Sequence, residues 1–347
     1  MERVRLVVVG AGRAGAVHAR NLRWRISAAS LEGLVDPEVE RAKGLAQELD
    51  LPQGRVFRSL EEALATLDVE AVVIATPTPT HGPLALLALE KGLHVFCEKP
   101  LARSLEEGRA MVEAARRTGR ILQVGFMRRF DPAFREARRL IREGAIGRPL
   151  YLRSLTRCPG LLPRWAWNPE EGLGLLGEVS SHDFDVLRFL GGLEILRVSA
   201  WGGALGRPDL RQEEDGFYDT VAVLVQLQGG VLGTVEGLCP AGYGYDTRAE
   251  VVGEEGALLV GSLERYPLVQ IRARQGGGLG EWSIHPSWSE RFREAYWAEM
   301  HHFVECVARG LEPEVTGEDG LRALQVAVAA NRSLWEGRPV DLGEVGP

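Results

Sequence analysis

The sequence predicts an α/β domain built on a doubly wound parallel sheet over residues 1–124, followed by an α+β domain with a large, open, mostly antiparallel sheet over residues 125–347. Three observations carry that expectation. Strand-like and helix-like segments alternate from the first residues to about residue 124, the pattern of a parallel sheet with helices on both faces. Beyond residue 125 the rhythm changes to β-branched runs separated by glycine-rich turns. At 347 residues the chain also exceeds the size at which one hydrophobic core usually stops growing.

The first element is the run Val4-Arg-Leu-Val-Val-Val9, and Gly10-Ala-Gly12-Arg-Ala-Gly15 follows at once. This is G-x-G-x-x-G between a strand and a helix, the Rossmann arrangement. Gly10 makes the tight turn, Gly12 lets the backbone approach a pyrophosphate, and Gly15 lets helix and strand pack closely, with the phosphate on the positive helix N-terminus. Arg13 and Ala14 complete this cofactor-side loop. A second apolar run, Leu31–Val35, ends in Asp36. An acid there can accept hydrogen bonds from the adenosine ribose hydroxyls while its charge repels a 2′-phosphate, so NAD is expected over NADP. The same residue suits a cap for the helix that starts at Pro37, and both readings stay open at this point.

A helix at about 38–49, a short strand near 55–57, a helix from Leu60 and the strand 71–75 continue the series. Next comes Thr76-Pro-Thr-Pro-Thr-His81, a stiff, hydroxyl-lined loop in which Thr76, Thr78 and His81 are candidate cofactor contacts and an ordinary turn is the alternative. A helix at about 81–91, the strand 93–97, a helix at about 104–118 and the strand 121–124 complete the parallel sheet. Ligands of such sheets lie at the carboxyl ends of the strands. Those ends are Gly10, Asp36, Thr76–His81, Glu98-Lys99-Pro100 and Gly125-Phe-Met-Arg-Arg-Phe130.

In the second half a helix at about 131–143 precedes strands at about 150–155, 196–201, 220–227, 231–235 and 249–252, with helices at about 181–190, 289–309 and 318–335. Gln228-Gly-Gly230 is a hairpin signal. Low complexity is confined to Gly276-Gly-Gly278. A sheet with helices mainly on one face leaves the other exposed, so a homo-oligomer, dimer or tetramer, is expected.

Net charge of -7 argues against nucleic acid or anionic lipid as the main partner. The sequence has no run of 18 apolar residues, and its first residues lead straight into a strand, so a cytoplasmic protein is expected. The four cysteines are scattered without a C-x-x-C pair, which fits reduced thiols and no metal.

Only three of the 41 basic residues are lysine, and Lys99 is one of them. An ammonium can lower its pKa when partly buried and trade a proton, which a guanidinium does not do. Pro100 restricts Lys99 to extended geometry at the strand end. In the second domain Glu178 and His182 stand four apart, so on a continuous helix they share one face, where a carboxylate orients an imidazole. Histidine suits proton transfer near neutrality. Oxidation of a secondary alcohol needs a hydride acceptor and a base: His182 can be that base, Lys99 can donate to the substrate oxygen, and Glu178 can link them. A helix-capping acid and a packed histidine are the alternative.

Taken together, Gly10–Gly15, Asp36, Thr76–His81, Glu98-Lys99-Pro100, Gly125–Asp131 and Glu178-x-x-x-His182 resemble the glucose–fructose oxidoreductase / inositol dehydrogenase / rhizopine-catabolism (Gfo/Idh/MocA) family over nearly the whole chain. The resemblance implies a Rossmann domain, an open-faced sheet on which dimers or tetramers assemble, and nicotinamide-dependent oxidation of sugars or cyclitols. For the inositol dehydrogenase branch it implies a catalytic group of lysine, acid and histidine, which falls on Lys99, Glu178 and His182. Glu178 replaces the aspartate usual in that branch. Arg129 and Tyr243, in segments similar to inositol 2-dehydrogenases, are candidate substrate contacts, together with Lys99 and His182. Glu98 and Lys99 join the cofactor-side residues. Two rival readings are a non-catalytic nucleotide-binding regulator and a dehydrogenase or reductase for another sugar derivative.

Overall fold

The computed structural model describes residues 3–52, 54–167, 172–213, 216–261 and 287–346; Gly276–Gly278 lies outside them. The chain divides into two compact units, Met1–Phe130 with Glu294–Arg322, and Asp131–Arg293 with Ala323–Pro347. Each unit is thus assembled from two separate stretches, where the change of rhythm near residue 124 suggested one cut.

In the first unit the elements run β1 (Val4–Val9), α1 (Arg13–Arg20) continued by a π turn at Asn21–Arg25, β2 (Ala29–Val35), α2 (Val39–Glu48), β3 (Val56–Phe57), α3 (Leu60–Thr66), β4 (Ala71–Ile74), α4 (His81–Glu90), β5 (His94–Cys97), α5 (Leu105–Thr118) and β6 (Leu122–Val124). Among the described residues the sheet has six strands in the order β3-β2-β1-β4-β5-β6, and every pairing is parallel. The strand order reverses between β1 and β4, which opens a crevice at their carboxyl ends. β4 is buried along its whole length as Ala-Val-Val-Ile, the composition that a strand covered on both faces requires. Ser59 and Ser104 accept the Glu62 and Glu107 amides, caps worth about 1 kcal/mol each that fix where α3 and α5 start.

The second unit begins with α6 (Pro132–Arg142), β7 (Pro149–Arg157), α7 (Arg164–Trp167), α8 (Gly174–Glu178), α9 (Ser181–Gly191), β8 (Ile195–Gly203), α10 (Leu210–Glu213), β9 (Thr220–Leu227), β10 (Leu232–Leu238), β11 (Asp246–Gly253), β12 (Ala257–Val260) and α11 (Trp288–Arg291). α12 (Arg293–Arg309) then belongs almost wholly to the first unit. α13 (Gly317–Glu336) starts in the first unit and ends in the second, before β13 (Val340–Asp341). The described sheet has seven strands ordered β12-β11-β7-β10-β9-β8-β13; β7 and β10 pair in parallel and the other neighbours antiparallel. β9 alternates strictly, with Val221, Val223, Val225 and Leu227 buried and Ala222, Leu224 and Gln226 exposed, the period of a sheet with one covered face.

The helix expected over 289–309 is interrupted at Phe292, whose φ of -112° takes it out of helical geometry. α12 then sends Met300, Phe303 and Val304 into the core that also holds Leu6, Val8 and Phe96. Phe303 and Phe96 meet edge to face with centroids 5.8 Å apart. That packing is why the N-terminal unit claims a segment from late in the chain. Phe303→Ala is expected to lower stability by about 3–5 kcal/mol, since it opens a cavity in a filled core; a denaturant midpoint within error of the wild type's would show that α12 does not stabilise this unit.

Candidate active site

The glycine loop shows its purpose in close approaches. Gly10 has φ +99°, and a Cβ there would sit 2.4 Å from the Ala75 carbonyl oxygen; a Cβ at Gly15 would fall 1.8 Å from the Gly10 oxygen. A Cβ at Gly12, by contrast, would meet nothing within 4 Å. The tight turn and the packing position are therefore filled by protein, while Gly12 borders open space at the N-cap of α1. Gly12 has no side chain to cap that helix, so its first-turn amides are left facing outward, the arrangement that receives a pyrophosphate. These residues fit a dinucleotide.

Asp36 is buried at the end of β2. Its Oδ2 accepts the Ala11 amide at 2.8 Å and its Oδ1 the Glu38 amide at 2.8 Å. The cap reading is not met, because α2 starts at Val39 with Glu38 at its N-cap and no side-chain cap, and Asp36 only turns the chain ahead of it; each of its oxygens retains a further lone pair. Arg41, which the sequence did not single out, brings Nη1 to 3.6 Å of Oδ2 with its side chain 46% exposed; its place one helical turn beyond Glu38 was the available signal.

At the end of β4, Thr80 donates to the Thr76 hydroxyl at 2.6 Å, and Thr78 is buried. His81 lies with Nε2 2.9 Å from the Thr76 carbonyl oxygen and Nδ1 2.8 Å from that of Pro100. Both ring nitrogens therefore face backbone, and the ring ties the loop after β4 to the residue that follows Lys99. Burial pushes its imidazole below the ordinary histidine range despite the two carbonyls.

At the end of β5 the Glu98 carboxylate accepts His18 Nε2 at 2.7 Å and the Lys99 amide at 3.2 Å. Burial alone would raise this carboxyl, but the His18 hydrogen bond and the charges of His18, Lys99 and His81 outweigh it and hold it below the usual carboxylate range. His18, three residues beyond Gly15 on α1, went unread in the sequence because a buried histidine has no period of its own. Among the described residues, His18, Glu98 and Glu299 form a group with one donor atom each inside 4.8 Å. The 2.7 Å contact already places a proton between two of them.

Arg129, in the turn after β6, donates to Asp319 Oδ1 at 2.8 Å and is mostly buried. In the second unit, Tyr243 donates to Asp246 Oδ2 at 2.8 Å and accepts from Arg157 at 3.1 Å. Both candidate substrate residues are thus engaged within their own units.

Glu178 and His182 are both buried, but the single helical face expected for them is broken. Glu178 ends α8, Val179 departs to φ -117° and ψ -57°, and α9 begins at Ser181. Val179 and Ser180 amides both bond the Leu175 carbonyl and close α8, while the Phe184 amide bonds Ser180 and opens α9. The following residue anchors that helix: Asp183 accepts the Ser154 hydroxyl at 2.6 Å and the Thr156 hydroxyl at 2.7 Å, both from β7. The sequence signal for Asp183 was two hydroxyl residues at period two in a strand, too weak to read without the register.

A Rossmann cradle with an acid at the second strand end, and a lysine at the fifth, define a nicotinamide-dinucleotide oxidoreductase. Residues 4–126 match the oxidoreductase family profile described as an NAD-binding Rossmann fold, and residues 138–342 match that family's C-terminal alpha/beta domain. The chain belongs to the Gfo/Idh/MocA oxidoreductase family. It is 40% identical to the scyllo-inositol 2-dehydrogenase (NAD(+)) of Bacillus subtilis strain 168, over 98% of this chain and 96% of that one. It is 33% identical to the myo-inositol 2-dehydrogenase of Thermotoga maritima, over 99% of each chain. The crystal structure of a scyllo-inositol dehydrogenase from Lactobacillus casei with bound NAD(H) and scyllo-inositol superposes with a TM-score of 0.86 at 27% identity, covering 99% of this chain and 100% of that one.

Two outcomes follow for binding assays. Asp36→Ala is expected to weaken NAD and to narrow the NAD-over-NADP preference by about tenfold, the worth of roughly one charge-assisted hydrogen bond, with Arg41 left to meet a 2′-phosphate; an unchanged ratio of the two dissociation constants would remove Asp36 from cofactor choice. Asp183→Ala is expected to lower turnover at least about tenfold through misplacement of α9 while NAD affinity stays within twofold. Equal loss of both would mean that Asp183 serves the fold alone.

Proposed function

We propose that this protein oxidises a secondary ring hydroxyl of an inositol, or of a closely related sugar, as an inositol 2-dehydrogenase-like enzyme using NAD, with Lys99, Glu178 and His182 handling the proton. NAD, when bound in the glycine cradle, would supply the hydride acceptor. Gly10, Gly12, Arg13, Ala14 and Gly15 hold the pyrophosphate, Asp36 the adenosine ribose, and Thr76 and Thr78 line the nucleotide, with His81 and Glu98 bracing that wall. The observation that carries the reading is how Lys99 is held. Its predecessor is fixed by His18 and its successor's carbonyl by His81, so the backbone of this lysine is clamped at a strand end one strand away from the crevice.

In this reading His182 takes the hydroxyl proton, Glu178 sets the orientation of the imidazole, and Lys99 donates to the reacting oxygen. General base catalysis of this type is worth about 10² to 10⁴-fold. We assign Arg129 and Tyr243 to the support of the substrate-side walls, because Asp319, and Arg157 with Asp246, already engage them. The four cysteines are free thiols, as suits a cytoplasmic enzyme, and no described helix is long and apolar enough to cross a membrane.

We propose further that copies of the chain associate, as a dimer or tetramer, through the outward face of the seven-stranded sheet. Trp201, Leu224, Leu232 and Leu259 are exposed there, and a groove of about 510 Å³ bounded by Arg157, Trp201, Leu205, Ala222 and Glu236 opens beside them. A monomer seldom leaves so much apolar surface in water. Light scattering on the purified protein should give a multiple of the 38.0 kDa chain mass, and Leu224→Asp should reduce it; a monomer at every concentration rules the interface out.

Initial rates of NAD reduction across inositol isomers, aldoses and sugar acids, with NADP in parallel, are expected to show turnover with one or a few cyclitols and NAD. Lys99→Ala and His182→Ala should each keep NAD affinity and lose at least about 10²-fold in turnover. Tight NAD binding with a blank panel would favour the nucleotide-binding regulator.

A further inference from the structure

The Rossmann unit contains a buried acid that the proposed proton transfer does not use. Glu299, on α12, is fully buried, and neither of its carboxylate oxygens has a hydrogen-bond partner among the described residues. One of those oxygens lies within 4.8 Å of both a ring nitrogen of His18 and a carboxylate oxygen of Glu98. The surroundings are apolar. Phe96 and Tyr296 pack on the His18 ring with centroids at 5.0 and 5.6 Å, and Phe303 and Met300 are fully buried in the same core. The carboxyl group is not there by slack in the helix, because Gln123 Nε2 on β6 donates to the Glu299 carbonyl at 3.0 Å and fixes the turn that carries it.

Ionised, Glu299 would set a second negative charge beside Glu98 in a shell that offers it no donor, an arrangement proteins avoid. As a neutral acid it has one O–H to give, and the Glu98 carboxylate stands near as an acceptor. A bound proton removes the second negative charge and gives Glu299 a donor. A metal ion would have to displace the His18–Glu98 hydrogen bond first.

We propose that Glu299 is a positioning residue: a buried carboxylic acid that retains its proton through the neutral range and thereby keeps the Glu98–His18 pair, and the Lys99 backbone joined to it, in one charge state. The inference rests on the reading of Lys99 as the group at the reacting oxygen. Burial first, and then the charge of Glu98, push the Glu299 carboxyl well above the ordinary glutamate range, whereas Glu98 is held below it. Two neighbouring carboxyls driven apart in this way divide into one anion and one neutral acid. Among the described residues, the titratable and charged groups around the pair are His18 from α1, His81 from α4, Cys97 at the end of β5, Lys99 after it and Tyr296 from α12; Gln123 from β6 carries no charge.

An acid whose pKa is raised by folding contributes stability below its unfolded value and loses it as pH rises through its folded value. Glu299→Gln removes that titration while it keeps the shape. The wild-type, Glu299→Gln and Glu299→Ala proteins, each with saturating NAD, are compared by calorimetry from pH 5 to pH 9, and the pH profile of kcat/KM is recorded alongside. The Gln variant's Tm is expected to gain on the wild type by roughly 2 °C per pH unit, and the alkaline limb of its kcat/KM profile to move to higher pH. Several results overturn the proposal: a Tm difference that is constant over that range, equal and pH-independent losses in the Gln and Ala variants, or one equivalent of divalent metal retained by the wild type and lost by Glu299→Gln. A shifted Tm with superimposable kcat/KM profiles would locate the proton but refute the positioning role. The calorimetric arm needs no turnover, so a blank substrate panel would remove the proposed activity without deciding the state of Glu299.

Discussion

A carboxylate buried at the end of β5 keeps its charge only because other groups are aimed at it, and much of the first unit is arranged around that requirement. Desolvation works against ionised Glu98; the His18 hydrogen bond and nearby positive charge prevail. His18 is carried by α1, the helix whose N-terminus borders the open space beside Gly12. The cofactor cradle and the strand end bearing Lys99 are therefore joined by one short hydrogen bond, and a displacement of α1 is felt at Glu98. His81 adds a second strut from α4, between the loop after β4 and Pro100. Lys99 is the residue between the two struts. Its backbone is held on both sides while its four-carbon side chain supplies the reach.

The first sheet was legible in the sequence because its information is local. β1 and β4 are nearly unbroken Val/Ile runs, and the glycine spacing announces both the turn and the helix that follows. The place of Asp36 was legible for the same reason, as the first polar residue after β2. What escaped was information held in partners. Glu299 interrupts the apolar stripe of Tyr296, Met300 and Phe303 on α12, which the 3.6-residue period could have flagged, but nothing local says that His18 and Glu98 wait on the other side. The membership of α12 in the N-terminal unit is likewise decided by Phe96, some 200 residues earlier.

In the second unit the limits were of another kind. β12 and β13 are short edge strands defined by the neighbours they pair with, so their sequences carry little strand character by themselves. The spacing of Glu178 and His182 was read correctly as four residues, yet spacing does not reveal that Val179 breaks the helix between them. That break has a consequence for geometry: Glu178 and His182 are set by two separate helices, and Asp183 fixes the second of these to β7 on its own account.

The number of donors already spent on a carboxylate separates acids that hold the fold from acids that can still hold a ligand. An ionised carboxylate offers about four lone-pair sites. Asp219 is saturated: the Leu205 and Gly206 amides and the Thr220 hydroxyl bond Oδ1, and the Arg207 amide bonds Oδ2. Asp319 has Oδ1 on Arg129 and Oδ2 on the Thr316 amide and hydroxyl, so its charge is met by a guanidinium. Asp36 differs from both. It takes one backbone amide on each oxygen, and the nearby Arg41 stops at 3.6 Å on a half-exposed side chain. Two neutral donors fix its orientation without cancelling its charge and leave one acceptor position on each oxygen. A vicinal diol needs that pair of acceptors, and a phosphate in the diol's place would meet a negative charge. Under the proposed reading of Asp36 as the ribose acceptor, a preference for NAD would rest less on the presence of an acid at position 36 than on the incompleteness of its hydrogen bonding.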